Sequence, residues 1–206
     1  GVHALGQCAS FDTRSTTPAD RFPFALNPHL PPDIKVLDGR EVDGFFHARF
    51  DAVGKTYTYR IHNAPHPSAL YRNYMVHVPV KLDLRAMTEA MQALSGTHDF
   101  AAFQAVGGTA KTTVRTLTHL ELTREGERLT FIVQGNAFLY NMVRIIAGTL
   151  IEIGKGKLDM DCFRRAIETG DRLCLGPTAP ACGLELTQVF YPHSASGIRQ
   201  VAEKEF

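Results

Sequence analysis

The chain has 206 residues, 44% hydrophobic and 21% charged, which describes a globular protein with a core and excludes a disordered or collagen-like one. Its formal charge of +1 is far from the strongly basic balance of a typical DNA-binding domain, although a local basic patch can still serve RNA. No apolar run reaches the roughly 18 residues needed to span a bilayer; the richest stretch, 138–153, is broken by Asn141, Arg144 and Glu152.

In chain order, residues 6–13 predict a short strand ending at Asp12. Thr17-Pro18-Ala19-Asp20 predicts a helix start, with Thr17 as cap and Pro18 at the first helical position. Asn27-Pro28 and Leu30-Pro31-Pro32-Asp33 predict a loop, 34–37 a strand and Asp38-Gly39 a turn. The clearest strand is 50–62, where Tyr57, Tyr59 and Ile61 alternate with Thr56, Thr58, Arg60 and His62. Residues 83–94 predict a helix closed by Gly96. Strands at 114–123 and 129–133 predict a hairpin around Arg124-Glu125-Gly126-Glu127. A long helix is expected over 137–153 and another over 159–168 with Gly170 beyond it. A final strand is expected at 184–191, and a frayed polar end from His193. Interleaved helices and strands with a hairpin make the class α+β.

Cys8, Cys162, Cys174 and Cys182 form no C-x-x-C pair, and the histidines show no zinc spacing. They read as thiols in a reducing compartment, and with no secretory leader pattern a cytoplasmic protein is expected.

The long helix carries its polar positions 141, 144, 148 and 152 near one stripe and is apolar elsewhere. Arg144 therefore lies on a narrow solvated stripe or is held in a cleft with a carboxylate partner. Gly148, one turn later, is expected to leave space for a ligand beside the guanidinium. Tyr57 reads either as a core-facing strand aromatic or as a plate that stacks on a base, its hydroxyl available for proton transfer. His3, His47 and His62 are candidate acids, bases or phosphate contacts. Arg49, Lys55, Arg60 and Arg72 cluster around the Tyr57 strand and either follow a phosphate backbone or form a solvated face.

The strings at 1–7, 27–36, 46–52 with 55–60, 111–116, 136–144 and 178–186 together resemble the tRNA pseudouridine synthase A family. Gly1-Val2-His3-Ala4-Leu5-Gly6-Gln7 is similar to the segment that follows its catalytic G-R-T-D box. The stretch 27–36 is similar to its L-N-x-x-L-P-x-D-I-x-V string. Phe46-His47-Ala48-Arg49-Phe50-Asp51-Ala52 and Lys55-Thr56-Tyr57-Thr58-Tyr59-Arg60 resemble its H-A-R-F-x-A…K-x-Y-x-Y box. Lys111-Thr112-Thr113-Val114-Arg115-Thr116 resembles its K-T-x-x-R-T box. The run from Asn136 to Arg144 resembles its long-helix motif, and the run from Thr178 to Leu186 its T-A-P-x-x-G-L-x-L segment.

The resemblance implies a cofactor-free isomerase that converts uridine to pseudouridine at positions 38–40 of the tRNA anticodon arm. It implies two α+β halves with mainly antiparallel sheets flanked by helices, a central RNA-binding cleft, and a homodimer on which tRNA bridges both subunits. It makes Tyr57 and Arg144 catalytic, Tyr57 stacking on the base and Arg144 pairing with the nucleophilic aspartate. His3, Arg49, Arg60, Asn141 and Leu184 become further substrate contacts. The family's aspartate falls two residues before Gly1, and neither Asp12 nor Asp51 replaces it. The expectation is therefore a chain cut just after the aspartate, with 1–43 the remainder of a first half and 44–206 the second. Such a piece is expected to be inactive by itself; the alternative is an RNA-binding fragment or relative without the nucleophile. No metal and no membrane are implied.

Overall fold

The alternation of Tyr57, Tyr59 and Ile61 builds the centre of the sheet. The computed structural model describes residues 1–192, so the expected polar end from His193 lies outside the described residues. Two units divide the chain: Gly1–Gln7 with Val53–Val189, and Cys8–Ala52 with the described residues from Phe190. Among the described residues no helix is long and apolar enough to cross a membrane.

The first unit holds strands β1 (His3–Ala4), β2 (Gly54–His62), β3 (Val76–His77), β4 (Gly96–Asp99), β5 (Val114–Glu125), β6 (Arg128–Gly135) and β7 (Leu184–Phe190). Their order is β1-β7-β2-β6-β5-β4, with β3 beside β2. The β2–β6, β6–β5 and β5–β4 pairs are antiparallel, whereas β1–β7 and β2–β3 are parallel. Tyr57, Tyr59 and Ile61 face Val133, Phe131 and Leu129 in register. Directly opposed residues share a face, and this face is the core: Tyr59, Ile61, Leu129, Phe131 and Val133 are each at most 1% exposed. The helices of this unit, α2 (Leu84–Met91), α3 (Met142–Gly154) and α4 (Cys162–Thr169), add their own buried residues to the same core, among them Met87, Ile145, Ile146 and Phe163. The arrangement is an α+β mixed sheet with flanking helices.

The element boundaries depart from expectation in several places. Parallel pairing with β7 covers only His3–Ala4, and 6–13 forms no strand. Residues 9–18 are exposed, and directly after the stretch the Thr13 and Ser15 hydroxyls accept from the Ser15 and Thr17 backbone N–H groups, a local turn pattern. β2 starts at Gly54 rather than 50, because 47–51 closes into a turn in which the Asp51 carboxylate accepts from the His47 N–H at 2.6 Å. Gly96 does not close a helix; at φ +98° it opens β4, an element the periodicity missed, after a 3-10 turn over Gln92–Leu94. The hairpin strands run further than expected, leaving Gly126 and Glu127 as the turn.

In the second unit a 3-10 turn over Ala19–Arg21 precedes a short helix, α1 (Phe22–Leu26). Thr17 caps nothing there, since its hydroxyl accepts from Ser15 at 2.8 Å. Asn27-Pro28 does not open the expected loop; the chain instead continues from the helix into a 3-10 turn over Asn27–His29. Residues 34–37 form no strand: Asn27 takes both backbone groups of Val36 with its side-chain amide, at 2.8 and 3.0 Å.

Candidate functional site

The site is organised by the start of α3. The expected helix over 137–153 does not begin at 137. Asn141 sits at φ 60°, in the left-handed region, and the helix starts after it. Residue 141 is the one non-glycine residue at positive φ among the described residues. Asparagine tolerates that conformation better than most residues, and such strain gathers at functional sites. The geometry has a consequence for charge. The Asn141 Oδ1 accepts from the Arg144 guanidinium at 3.1 Å, and the Arg144 Nε donates to the Ala179 carbonyl at 2.7 Å.

Arg144 is half-buried in the first turn of α3. The positive end of the helix dipole lies there, so a cation in that turn is unfavourable by itself. Among the described residues no carboxylate pairs with it. The side chain is thus aimed and braced with its charge uncompensated, which suits an incoming anion.

The polar stripe of α3 is not a solvated face. A Cβ at Gly148 would collide with the Pro177 carbonyl oxygen and crowd Ala179 N. The space expected beside the guanidinium for a ligand is therefore filled by residues 177–179 of this chain. Those residues are stitched down: Ala179 N donates to the Arg144 carbonyl at 3.0 Å, and Gly176 N donates to Thr149 Oγ1 at 2.9 Å. Glu152, at the far end of the stripe, pairs with Lys155 at 2.8 Å.

Tyr57 stands half-buried on the core-side face of β2, its ring meeting Phe138 edge-on at 5.1 Å between centroids. Its hydroxyl has no hydrogen-bond partner among the described residues, and burial raises its pKa above the ordinary value near 10. Tyr59, two residues on, is fully buried and donates to the Pro180 carbonyl at 2.8 Å. Pro180 follows Ala179, the residue that holds Arg144. Gly183 packs against the Tyr59 ring, where a Cβ would come within 2.7 Å of the ring carbon Cζ. Leu184, the first residue of β7, is buried in the same core. Contacts thus join Tyr57 to Phe138, and Asn141 through Arg144 and the 179–180 segment to Tyr59, with Leu184 in the same core.

The other candidates lie elsewhere. Arg60 occupies the opposite face of β2 from Tyr57 and forms a two-point ion pair with Glu185, at 2.9 and 3.0 Å. The His3 ring makes a 2.6 Å hydrogen bond to the Asn73 carbonyl and lies 4.8 Å from the Tyr74 ring. Arg49 belongs to the second unit, its guanidinium 5.6 Å from the centre of the Phe50 ring. His62 contacts the His66 carbonyl and Arg72 donates to the Ala69 carbonyl.

Sequence reasoning missed the role of residues 179 and 180, whose carbonyls brace Arg144 and Tyr59. The T-A-P string marked the segment, but nothing in its side chains announces that its backbone is the functional part. It also left Asn136 unassigned, whose Oδ1 accepts from Thr116 N at 3.0 Å and Ala137 N at 2.8 Å and so fixes the segment leading to Asn141.

A family profile described as tRNA pseudouridine synthase matches residues 90–192. A tRNA pseudouridine synthase A of Acetivibrio thermocellus is 51% identical over 191 residues, covering 93% of this chain and 78% of that protein. A tRNA pseudouridine synthase A 2 of Clostridium tetani is 48% identical, with coverages of 93% and 77%. The tRNA pseudouridine synthase A of Bacillus subtilis is 44% identical over the same shares.

Proposed function

This chain belongs to the tRNA pseudouridine synthase family, and we propose that it serves the isomerisation of uridine to pseudouridine in tRNA, at positions 38–40 of the anticodon arm. The carrying observation is Arg144: braced by Asn141 and Ala179, at the electropositive start of α3, with no carboxylate partner among the described residues.

In this reading an aspartate from outside the described residues approaches Arg144, which keeps it ionised and aimed. The reaction breaks the bond between ribose C1′ and uracil N1. The ring turns and C5 bonds to C1′; the C5 proton leaves and N1 gains one. Atoms and electrons balance without an oxidant or a group donor. The base must leave its stack to reach the site. Tyr57 stacks on it beside Phe138. With its pKa raised, the phenol is neutral at physiological pH, so it passes the C5 proton as a relay rather than as a standing phenolate. Asn141 holds Arg144, and Leu184 supplies an apolar wall. His3 and Arg60 touch RNA away from the reacting base, with Arg60 contributing least because Glu185 already shares its charge, and Arg49 is a further RNA contact.

The reading keeps 1–43 as the remainder of a first half and 44–206 as the second. It places the protein in the cytoplasm as a homodimer whose two copies share the tRNA, consistent with a charge of only +1 per chain. The lone Arg144 also favours a second reading, a chain that binds tRNA without turning it over.

Two assays test this. With the aspartate-bearing G-R-T-D segment joined upstream, Arg144→Ala abolishes pseudouridine formation while tRNA binding persists, and Tyr57→Phe loses turnover more than affinity. Normal product from Arg144→Ala sinks the assignment. Residues 1–206 alone bind tRNA without forming pseudouridine; turnover by them places the nucleophile within these residues instead.

A further inference from the structure

The Lys111–Thr116 string has a function in none of the steps above, yet it contains an electrostatic anomaly. Arg115 is 8% exposed, on the same face of β5 as Leu117. Of its five N–H donors, the guanidinium uses one, to the carbonyl of its own neighbour Val114. Its Nε is buried without any partner, and among the described residues it forms no ion pair. An unpaired buried guanidinium is costly, and a fold keeps one where an anion meets it.

The surroundings point to that anion. Arg115 stands at the root of the loop 104–113, whose residues 106, 107 and 109–112 are exposed, Val106 completely. The loop is tied to the site: Ala105 N donates to the Tyr140 carbonyl at 3.1 Å, one residue before Asn141. At its other end Thr116 exchanges backbone and side-chain bonds with Asn136. Residues 100–120 contain no acid, nor do 128–151, while they contribute Lys111, Arg115 and Arg144; Arg128 lies at the hairpin end of the ladder, paired with Glu125 at 3.4 Å. The nearest acid in sequence is Glu121, on β5 itself; it lies beyond the bulge at 117–119, opposite Ile132, and meets His119 at 3.2 Å. On the other side the nearest is Asp99, whose carboxylate accepts from Ala101 N at 3.0 Å. Asp99 sits opposite Val114, so it falls on the other face of the β4–β5 pair from Arg115.

We propose that the loop 105–113, with Lys111 on its surface and Arg115 beneath it, is an anion subsite that grips the phosphodiester backbone beside the target nucleotide. The proposal rests on the tRNA reading above. Lys111 contacts the phosphate as a mobile point charge, and Arg115 supplies a poorly screened positive charge at the loop's root.

The test measures binding of a synthetic anticodon-arm hairpin RNA by the whole chain across a range of KCl concentrations. Lys111→Ala and Arg115→Met each weaken binding and lower the slope of log affinity against log salt by about one. Arg115→Lys, which keeps the charge, restores most of that slope. Circular dichroism establishes that each variant is folded; should Arg115→Met not fold, Lys111→Ala and Arg115→Lys decide. If the variants keep the wild-type slope, with Arg115→Met only melting earlier, Arg115 is a structural residue satisfied by water and the subsite is overturned while the tRNA reading stands. Absence of wild-type RNA binding overturns both.

Discussion

Asn141 shows how one residue can set both a backbone and a charge. Its left-handed conformation starts α3 one residue later, and its side-chain oxygen then meets Arg144 at 3.1 Å. The two roles separate by substitution. Asn141→Gly accepts the left-handed backbone and loses only the side-chain acceptor. Asn141→Ala loses the acceptor and also pays for a Cβ in that region, about 1 kcal/mol. The alanine variant should therefore unfold at lower urea than the glycine variant, although alanine is ordinarily the better residue near a helix. Equal midpoints would mean the strain is not stored at 141. Sequence alone left Arg144 either on a narrow solvated stripe or in a cleft where it would need a carboxylate partner. It did not show that Asn141 and a backbone carbonyl at 179 would brace it, since neither the left-handed turn nor a carbonyl's direction leaves a periodic trace.

At the scale of elements, α3 and the 176–180 segment behave as one piece. Gly148 exists because the Pro177 carbonyl passes where a Cβ would stand, and Thr149 and Arg144 bond the segment on either side. In an exposed helix, glycine to alanine gains up to about 1 kcal/mol. Here the sign reverses: Gly148→Ala forces backbone apart and should destabilise by about 1–3 kcal/mol, the range for overpacking a close-packed site. A urea melt checks it, and an unchanged or raised midpoint would show that the segment gives way freely. The same element scale explains what the patterns conveyed. β2 and β6 were readable because alternate residues turn into the core, whereas β5 and β7 were readable from apolar runs bounded by turns. β4 was not, since Gly-Thr-His-Asp has no apolar alternation and forms through pairing with β5. The strand expected at 34–37 failed for the converse reason: the Asn27 side chain takes both backbone groups of Val36 in place of a ladder partner. The one expected at 6–13 failed because 9–13 are exposed with no face to bury.

The whole chain carries a pH dependence that follows from what it buries. Burial pushes the Tyr59 phenol well above its ordinary pKa, the Cys182 thiol nearby adding to the effect and Arg144 opposing it. Burial likewise raises Tyr57, and Tyr191 in the second unit, and pushes the Cys162 thiol up to about 11. In each case the folded state holds its proton more tightly than the unfolded chain. Stability from these groups is therefore whole below about pH 9, where the thiol of the unfolded chain begins to ionise, and falls as pH climbs through 9 and 10. Each such group removes up to about 1.4 kcal/mol per pH unit between its two pKa values. Thermal melting between pH 8 and 11 should show a steady decline. Tyr59→Phe should start lower, having lost its bond to the Pro180 carbonyl, and then decline less steeply. A wild-type midpoint that holds level from pH 8 to 11 would mean these groups ionise in place, with water reaching the sheet behind Arg144. The close packing of Gly183 on the Tyr59 ring argues against that entry, so the alkaline limb doubles as a measure of how dry the wall behind the site is.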